Sequence, residues 1–160
     1  MVKFVFDADG VIKLAKSGVL DSVSVFAACH LSTQVYEEVL KGKENMYEDA
    51  FIVEGLVAKG KIKVVTIRKA EVMAGLGGGE QSALLLYEKL GADAVISDDR
   101  KFLSFLEEKE VPFIIPTDLI VLLSAKGRIS KAKAREALDS LRPFVREENY
   151  RLAKEAIGGE

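Results

Sequence analysis

This chain carries almost nothing for covalent or nitrogen-ligand chemistry. In 160 residues there is one cysteine, Cys29, one histidine, His30, and no tryptophan. A lone cysteine excludes an intrachain disulfide and a thiolate zinc site. A lone histidine excludes a histidine-cluster metal site. A Ser-His-Asp hydrolase would need His30 as its base, and no nucleophile-elbow motif accompanies it. His30 follows Phe26-Ala27-Ala28-Cys29 and reads as a packed or surface imidazole at a strand end. A basic excess is also missing: net charge is −2, which argues against a general electrostatic nucleic-acid binder. It leaves room for an enzyme that holds phosphate through a metal. No apolar run is long enough to span a membrane, and an acidic residue by position 7 speaks against a signal peptide. The cytoplasm is the expected compartment. The absence of tryptophan, with many Lys, Glu, Val and Ile, resembles thermophile usage.

What the chain does have is a core and a set of acids. Apolar residues make up 49%, enough for one domain over residues 1–160, with a helical region from about 117 to 160. Val2 to Phe6, Val23 to Leu31, Lys61 to Ile67, Ala94 to Ile96 and Val111 to Ile115 read as strands. Helical spacing is expected over Gly10–Ala15, from an N-cap at Ser32-Thr33 through Leu40 with Gly42 as the stop, and over Tyr47–Ala58 with Phe51, Ile52, Leu56 and Val57 inward. Further helices are expected around Ala70–Ala74, over Gly79–Leu90, Arg100–Lys109, Asp118–Lys126 with Thr117 as cap, from Ser130 to Pro143, and over Glu147–Ile157. Strands alternating with helices predict an α/β fold: a parallel sheet of four or five strands with helices on both faces, followed by C-terminal helices.

Acidic residues sit where these segments end. Asp7 closes the first strand, where packing alone explains a carboxylate poorly. It serves the site, the cap of the next helix, or both. Asp9 is either a second ligand or the cap. Glu38 borders Val35 and Val39 on its helix and gains weight only from the other acids. Glu80 follows Gly77-Gly78-Gly79, where an acid also suits a first helical turn. No Gly-Lys-Ser/Thr follows, which sets a P-loop aside. Of Asp98 and Asp99, one caps the next helix and the other is a candidate ligand. Acids at strand ends converge at one edge of an open α/β sheet. Converging carboxylates repel unless a hard cation such as Mg²⁺ or Mn²⁺ binds among them. That pattern points to metal-dependent phosphoester chemistry.

Two families share parts of this pattern. Phe4-Val5-Phe6-Asp7-Ala8-Asp9-Gly10-Val11 resembles the first motif of haloacid dehalogenase-type phosphatases. That resemblance implies Asp7 as nucleophile, with Thr66 and Lys89 as the remaining candidates, and gives Glu38 and Glu80 no role. The whole order resembles PIN-domain ribonucleases, in particular a toxin-like branch. The matching segments are Phe6-Asp7-Ala8-Asp9-Gly10-Val11-Ile12-Lys13-Leu14, Val35-Tyr36-Glu37-Glu38-Val39, Gly79-Glu80-Gln81-Ser82-Ala83-Leu84, Ile96-Ser97-Asp98-Asp99-Arg100-Lys101-Phe102, and Leu119 to Ile129.

The second resemblance implies a PIN-like three-layer fold and Mg²⁺/Mn²⁺-dependent endoribonuclease activity, as the toxin of a toxin–antitoxin pair. The implied site is Asp7, Glu38, Glu80 and Asp99, with Asp98 as an auxiliary metal ligand. Asp9 departs from the family's small polar residue. Bound metal would activate a water and stabilise phosphate charge, so no side-chain nucleophile is needed. Arg100 or Lys101 would contact the RNA backbone. Expected partners are single-stranded or structured RNA, an antitoxin protein and a second copy of the chain, with no membrane. A non-catalytic PIN-like binding module is the third class; the full acidic set argues against it.

Overall fold

The computed structural model describes residues 1–68 and 76–158. Its centre is a five-stranded sheet in the order β3-β2-β1-β4-β5. The strands are β1 (Lys3–Phe6), β2 (Ala28–Ser32), β3 (Ile62–Val65), β4 (Ala94–Ile96) and β5 (Phe113–Ile114). Every adjacent pair is parallel. Phe4, Val5 and Phe6 are successive, point to alternate faces, and are all buried. Both faces of β1 are therefore covered, as a parallel sheet requires. This is the α/β architecture expected from the alternation of segments.

Ten helical segments surround the sheet among the described residues: α1 (Ala8–Ser17), α2 (Leu20–Phe26), α3 (Thr33–Glu44), α4 (Glu48–Ala58), α5 (Gly78–Leu90), α6 (Arg100–Glu108), α7 (Pro116–Ala125), α8 (Lys131–Leu141), a 3-10 turn (Arg142–Phe144) and α9 (Glu147–Ile157). Helix α5 lies over β1, β2 and β4 and touches α3. Helix α1 packs against α4, α7 and α8, and α7, α8 and α9 pack on one another. One large apolar cluster runs through the sheet and most helices. A smaller one holds α6 through Phe102, Leu103 and Leu106 against Val95 and Leu84. No helix among the described residues is long and apolar enough to cross a membrane.

Several local expectations need correction. Val23–Leu31 is not one strand: α2 occupies Leu20–Phe26 and β2 starts at Ala28. Leu20, Val23 and Ala27 are buried at helical spacing, while Val25 is exposed and makes the run look uniformly apolar. Helix α3 continues through Gly42 to Glu44, with Tyr47 and Ala50 packed against that glycine. Helix α4 buries Ala50, Val53 and Leu56 and leaves Phe51 and Ile52 largely exposed. A helix apolar on nearly all sides gives no sharp moment by which to choose its inner face. Helix α7 begins at Pro116, where the missing N–H costs nothing, and Ile115 precedes it as cap, so Thr117 lies inside the helix. The helix expected around Ala70–Ala74 lies outside the described residues.

Parallel strands put all their carboxyl ends on one edge. Strand β1 sends the chain to β2 on one side and borders β4 on the other. The β1–β4 junction is therefore the topological switch point, where open α/β sheets form a crevice. Asp7 sits there, and its N–H donates to Ile96 O at 3.2 Å.

Candidate active site

Asp7 is fixed by local backbone geometry. It is the N-cap of α1, and its Oδ1 accepts the Gly10 N–H at 2.7 Å. Asp9 is thus not the cap. Gly10 is pressed so tightly to the end of β4 that an added Cβ would fall 2.2 Å from Ile96 O. Only glycine permits this approach. The other Asp7 oxygen, Oδ2, accepts the Ser97 hydroxyl in a short hydrogen bond. The Ser97 Oγ in turn accepts the Asp99 N–H at 3.2 Å. One buried hydroxyl therefore ties the ends of β1 and β4 together and orients Asp7. The Asp7 side chain is buried, and that burial pushes its pKa up to about 7 against the pull of its two hydrogen bonds. The charges of Asp9 and Asp99 push the same way.

Glu38 and Glu80 arrive on helices. Ser32 caps α3, its Oγ accepting the Val35 N–H at 3.0 Å. Ser82, on the buried side of α5, donates to Gly79 O at 2.7 Å, and its Oγ lies 2.7 Å from Ser32 Oγ. With the Ser82 proton committed, Ser32 is the donor between them. This hydroxyl pair locks the start of α3 to the start of α5. Glu38 then reaches over Gly79, where an added Cβ would lie 2.2 Å from Glu38 Oε1. Burial and the neighbouring Glu80 charge raise the Glu38 pKa. Glu80 uses Oε1 to accept the Gly77 N–H at 3.1 Å, while its Oε2 is buried with no hydrogen-bond partner. Asp99 caps α6, accepting the Phe102 N–H through Oδ1 at 3.0 Å.

Asp7, Glu38, Glu80 and Asp99 line one cleft of about 360 Å³, together with Asp9, Gly77 and Gly79. The structure brings the four sequence-predicted acids to the same cavity. It does not draw them into a finished cage: among the described residues no three acids stand ready to enclose an ion. The reason is visible in their bonds. Glu80 and Asp99 each spend one oxygen on a backbone N–H. Asp98 is not part of the cleft lining. Its Oδ2 lies 2.7 Å from Lys13 Nζ, which also holds Asp9 Oδ2 at 3.2 Å.

Residues 3–157 match the family model described as DUF3368: PIN domain. The chain belongs to the PIN-domain family. Comparison with curated proteins and with solved structures returned no match. PIN domains are generally nucleases that use divalent metal, and this cleft fits such an ion. Its donors are carboxylate oxygens, suited to a hard cation. The orphaned Glu80 Oε2 and the buried Asp7 carboxyl are oxygen acceptors that a cation would satisfy.

The phosphatase constellation is not formed in this PIN domain. Lys89 lies nine residues beyond Glu80 on α5, roughly 13 Å along the helix axis. Thr66 follows β3, the outer strand, two strands away from β1. Sequence reasoning used Ser97 only as the Ser/Thr of the family's Ser/Thr-x-Asp element, which set Asp99 as the ligand, and gave no role to Ser82, Lys13 or Asp118. Ser82 had a signal: it is a hydroxyl on the apolar stripe of α5, between Gly79 and Leu86. Lys13 had one too, four residues after Asp9 on α1. Asp118 had none, because its partner Asp98 is distant in sequence.

Proposed function

We propose that this PIN domain is an Mg²⁺- or Mn²⁺-dependent endoribonuclease, the toxin of a toxin–antitoxin pair, acting in the cytoplasm as a homodimer. The observation that carries the nuclease reading is the convergence of Asp7, Glu38, Glu80 and Asp99 on one cleft at the switch point of the sheet. The same four acids, with the family's metal use, support the cofactor. Bound metal supplies a water acidic enough to attack phosphorus and charge to offset that of the phosphate. Asp7 keeps a lone pair on each oxygen beyond its bonds to Gly10 and Ser97, and Ser97 fixes where they point. Glu80 offers its unpartnered Oε2, and Glu38 is carried over Gly79 to the opposite wall. Asp99 keeps Oδ2 for the site while Oδ1 anchors α6. Arg100 and Lys101, exposed in the first turn of α6 beside Asp99, are placed to meet phosphates of a bound strand.

The test is cleavage of single-stranded RNA by purified protein with Mg²⁺ or Mn²⁺, with chelator, and with Glu80→Gln. Metal-dependent internal cleavage that Glu80→Gln abolishes is the expected result. Small phosphomonoesters are not hydrolysed. Phosphomonoesterase activity that survives Glu80→Gln overturns this in favour of an Asp7 nucleophile. Metal binding without cleavage of RNA leaves a binding module.

A further inference from the structure

The cleft does not use every acid at the strand edge. Asp98 leaves the end of β4, Asp9 stands in the first turn of α1, and Asp118 in the first turn of α7. Between the first two lies the Lys13 ammonium, 2.7 Å from Asp98 Oδ2 and 3.2 Å from Asp9 Oδ2. The Lys13 side chain is only 14% exposed and that of Asp98 only 8%. Burial raises the Asp118 pKa, and the nearby Asp98 charge adds to it. This is not an ordinary surface pair. Lysine is strongly hydrated and loses solvation on burial, and exposed positions on α1 would spare that cost. Its chain neighbours in α1 are Ile12, which lines the cleft, and the buried Leu14.

The edge is thus divided. One half offers Asp7, Glu38, Glu80 and Asp99, none of them in an ion pair among the described residues. The other half holds a fixed cation between Asp9 and Asp98, with Asp118 close to Asp98. Nucleases with two metals place them about 4 Å apart, bridged by shared carboxylates. Here Asp9 is the shared wall: it lines the cleft and also binds Lys13. We propose that Lys13 is a positioning residue standing where a second divalent cation would otherwise bind, claiming Asp98 and leaving the cleft metal to Asp7, Glu38, Glu80 and Asp99. The proposal rests on the nuclease reading for the existence of that cleft metal.

The experiment counts bound Mn²⁺ by paramagnetic resonance of the free ion and by calorimetry, near neutral pH. Lys13→Met keeps the bulk and removes the charge, and it binds one ion more than the wild type. Lys13→Arg binds no extra ion, and Lys13→Met/Asp98→Asn loses it again. An unchanged count in Lys13→Met, or an extra ion that persists in the double variant, overturns the proposal. Asp98→Asn alone decides the matter if Lys13→Met does not fold. Its Mn²⁺ affinity stays within roughly threefold of wild type; a loss of roughly tenfold or more, as for a ligand or its close support, overturns the proposal. Asp7→Asn separates the two readings. If it fails to remove the wild-type ion, the nuclease site is misplaced, while the ion gained by Lys13→Met still reports on Lys13.

Discussion

The strand edge and the C-terminal helical corner treat the same residue type in opposite ways. In the corner, Asp139 accepts from the Tyr150 hydroxyl and from Lys154, and Glu147 is held by Arg142. Both carboxyls lie below their ordinary pKa, chiefly because of those hydrogen bonds. At the strand edge, Asp7, Asp9, Glu38 and Asp118 are all raised, chiefly by burial. Exposed acids in the corner found cations cheaply and gain little from them. Acids at the edge were buried with too few cations, which is a standing cost to stability. A fold of this size had ample surface on which to avoid that cost. The difference marks the edge as the candidate site, since perturbed carboxylates gather at functional sites.

The largest effect that would sharpen this contrast is on catalysis. Glu80→Gln removes a wall of the cleft and is expected to lower RNA cleavage by roughly 100-fold or more, the scale of several kcal/mol of charge stabilisation. Asp139→Asn is expected to leave cleavage rates alone. Equal losses in both variants, measured at matched folded fractions, would erase the distinction between edge and corner.

Next in size is stability without metal. The folded pKa of Asp7 is raised from 3.8 to about 7, so the folded state holds its proton more tightly than the unfolded chain. Its contribution is most favourable below about pH 4, declines as pH rises toward 7, and is flat above that. At about 1.4 kcal/mol per unit, the decline is a few kcal/mol at most. Asp7→Asn should remove this decline, melt higher than wild type at neutral pH, and lose the stabilisation that Mn²⁺ gives the wild type. Denaturant melts across pH in chelator check it. A less stable Asp7→Asn at neutral pH would mean that capping α1 outweighs burial of the charge.

A subtler break is steric. Gly79→Ala would drive a methyl into Glu38 and push its carboxylate from the cleft. Mn²⁺ affinity is expected to fall by roughly 10-fold, the range for disturbed metal support. Shortening the acid with Glu38→Asp in the same chain should recover part of it. Calorimetry on both variants tests this, and an unaltered affinity in Gly79→Ala would remove Glu38 from the site.

Smallest is the hydroxyl lock. Ser82→Ala loses two buried hydrogen bonds, to Gly79 O and from Ser32, and is expected to cost about 1 to 2 kcal/mol of stability. Urea unfolding measures it.

The sequence carried the sheet, Asp7, Glu80 and the Asp98-Asp99 pair in local signals, apolar runs that stop at a carboxylate and a glycine run before a helix, whereas Glu38, inside α3, was picked out only by the family resemblance. The division of labour between Asp98 and Asp99 was not legible. It depends on Lys13, which lies far away in the chain and reaches Asp98 only after β1 and β4 pair. The boundary between α2 and β2 was missed because Val25, exposed, masks the helical spacing of Leu20, Val23 and Ala27. The inner face of α4 was misjudged because Phe51 and Ile52 are apolar yet outward. Ser97 and Ser82 were legible as positions, one in a motif and one on an apolar stripe, but the partners of their hydroxyls are set by tertiary packing.

Strand β4 enters the sheet beside β1 although some ninety residues of chain lie between them. During synthesis, chains emerge from the amino end and fold progressively. A nascent chain that has exposed only β1 to β3 holds Asp7 and Glu38 but neither Ser97 nor Asp99. Its central strand has an open flank and its first acid has no hydroxyl to aim it. On the proposed reading, a chain synthesised only as far as β3 would lack half of its cleft acids and cut no RNA; the activity would begin only when β4 pairs with β1.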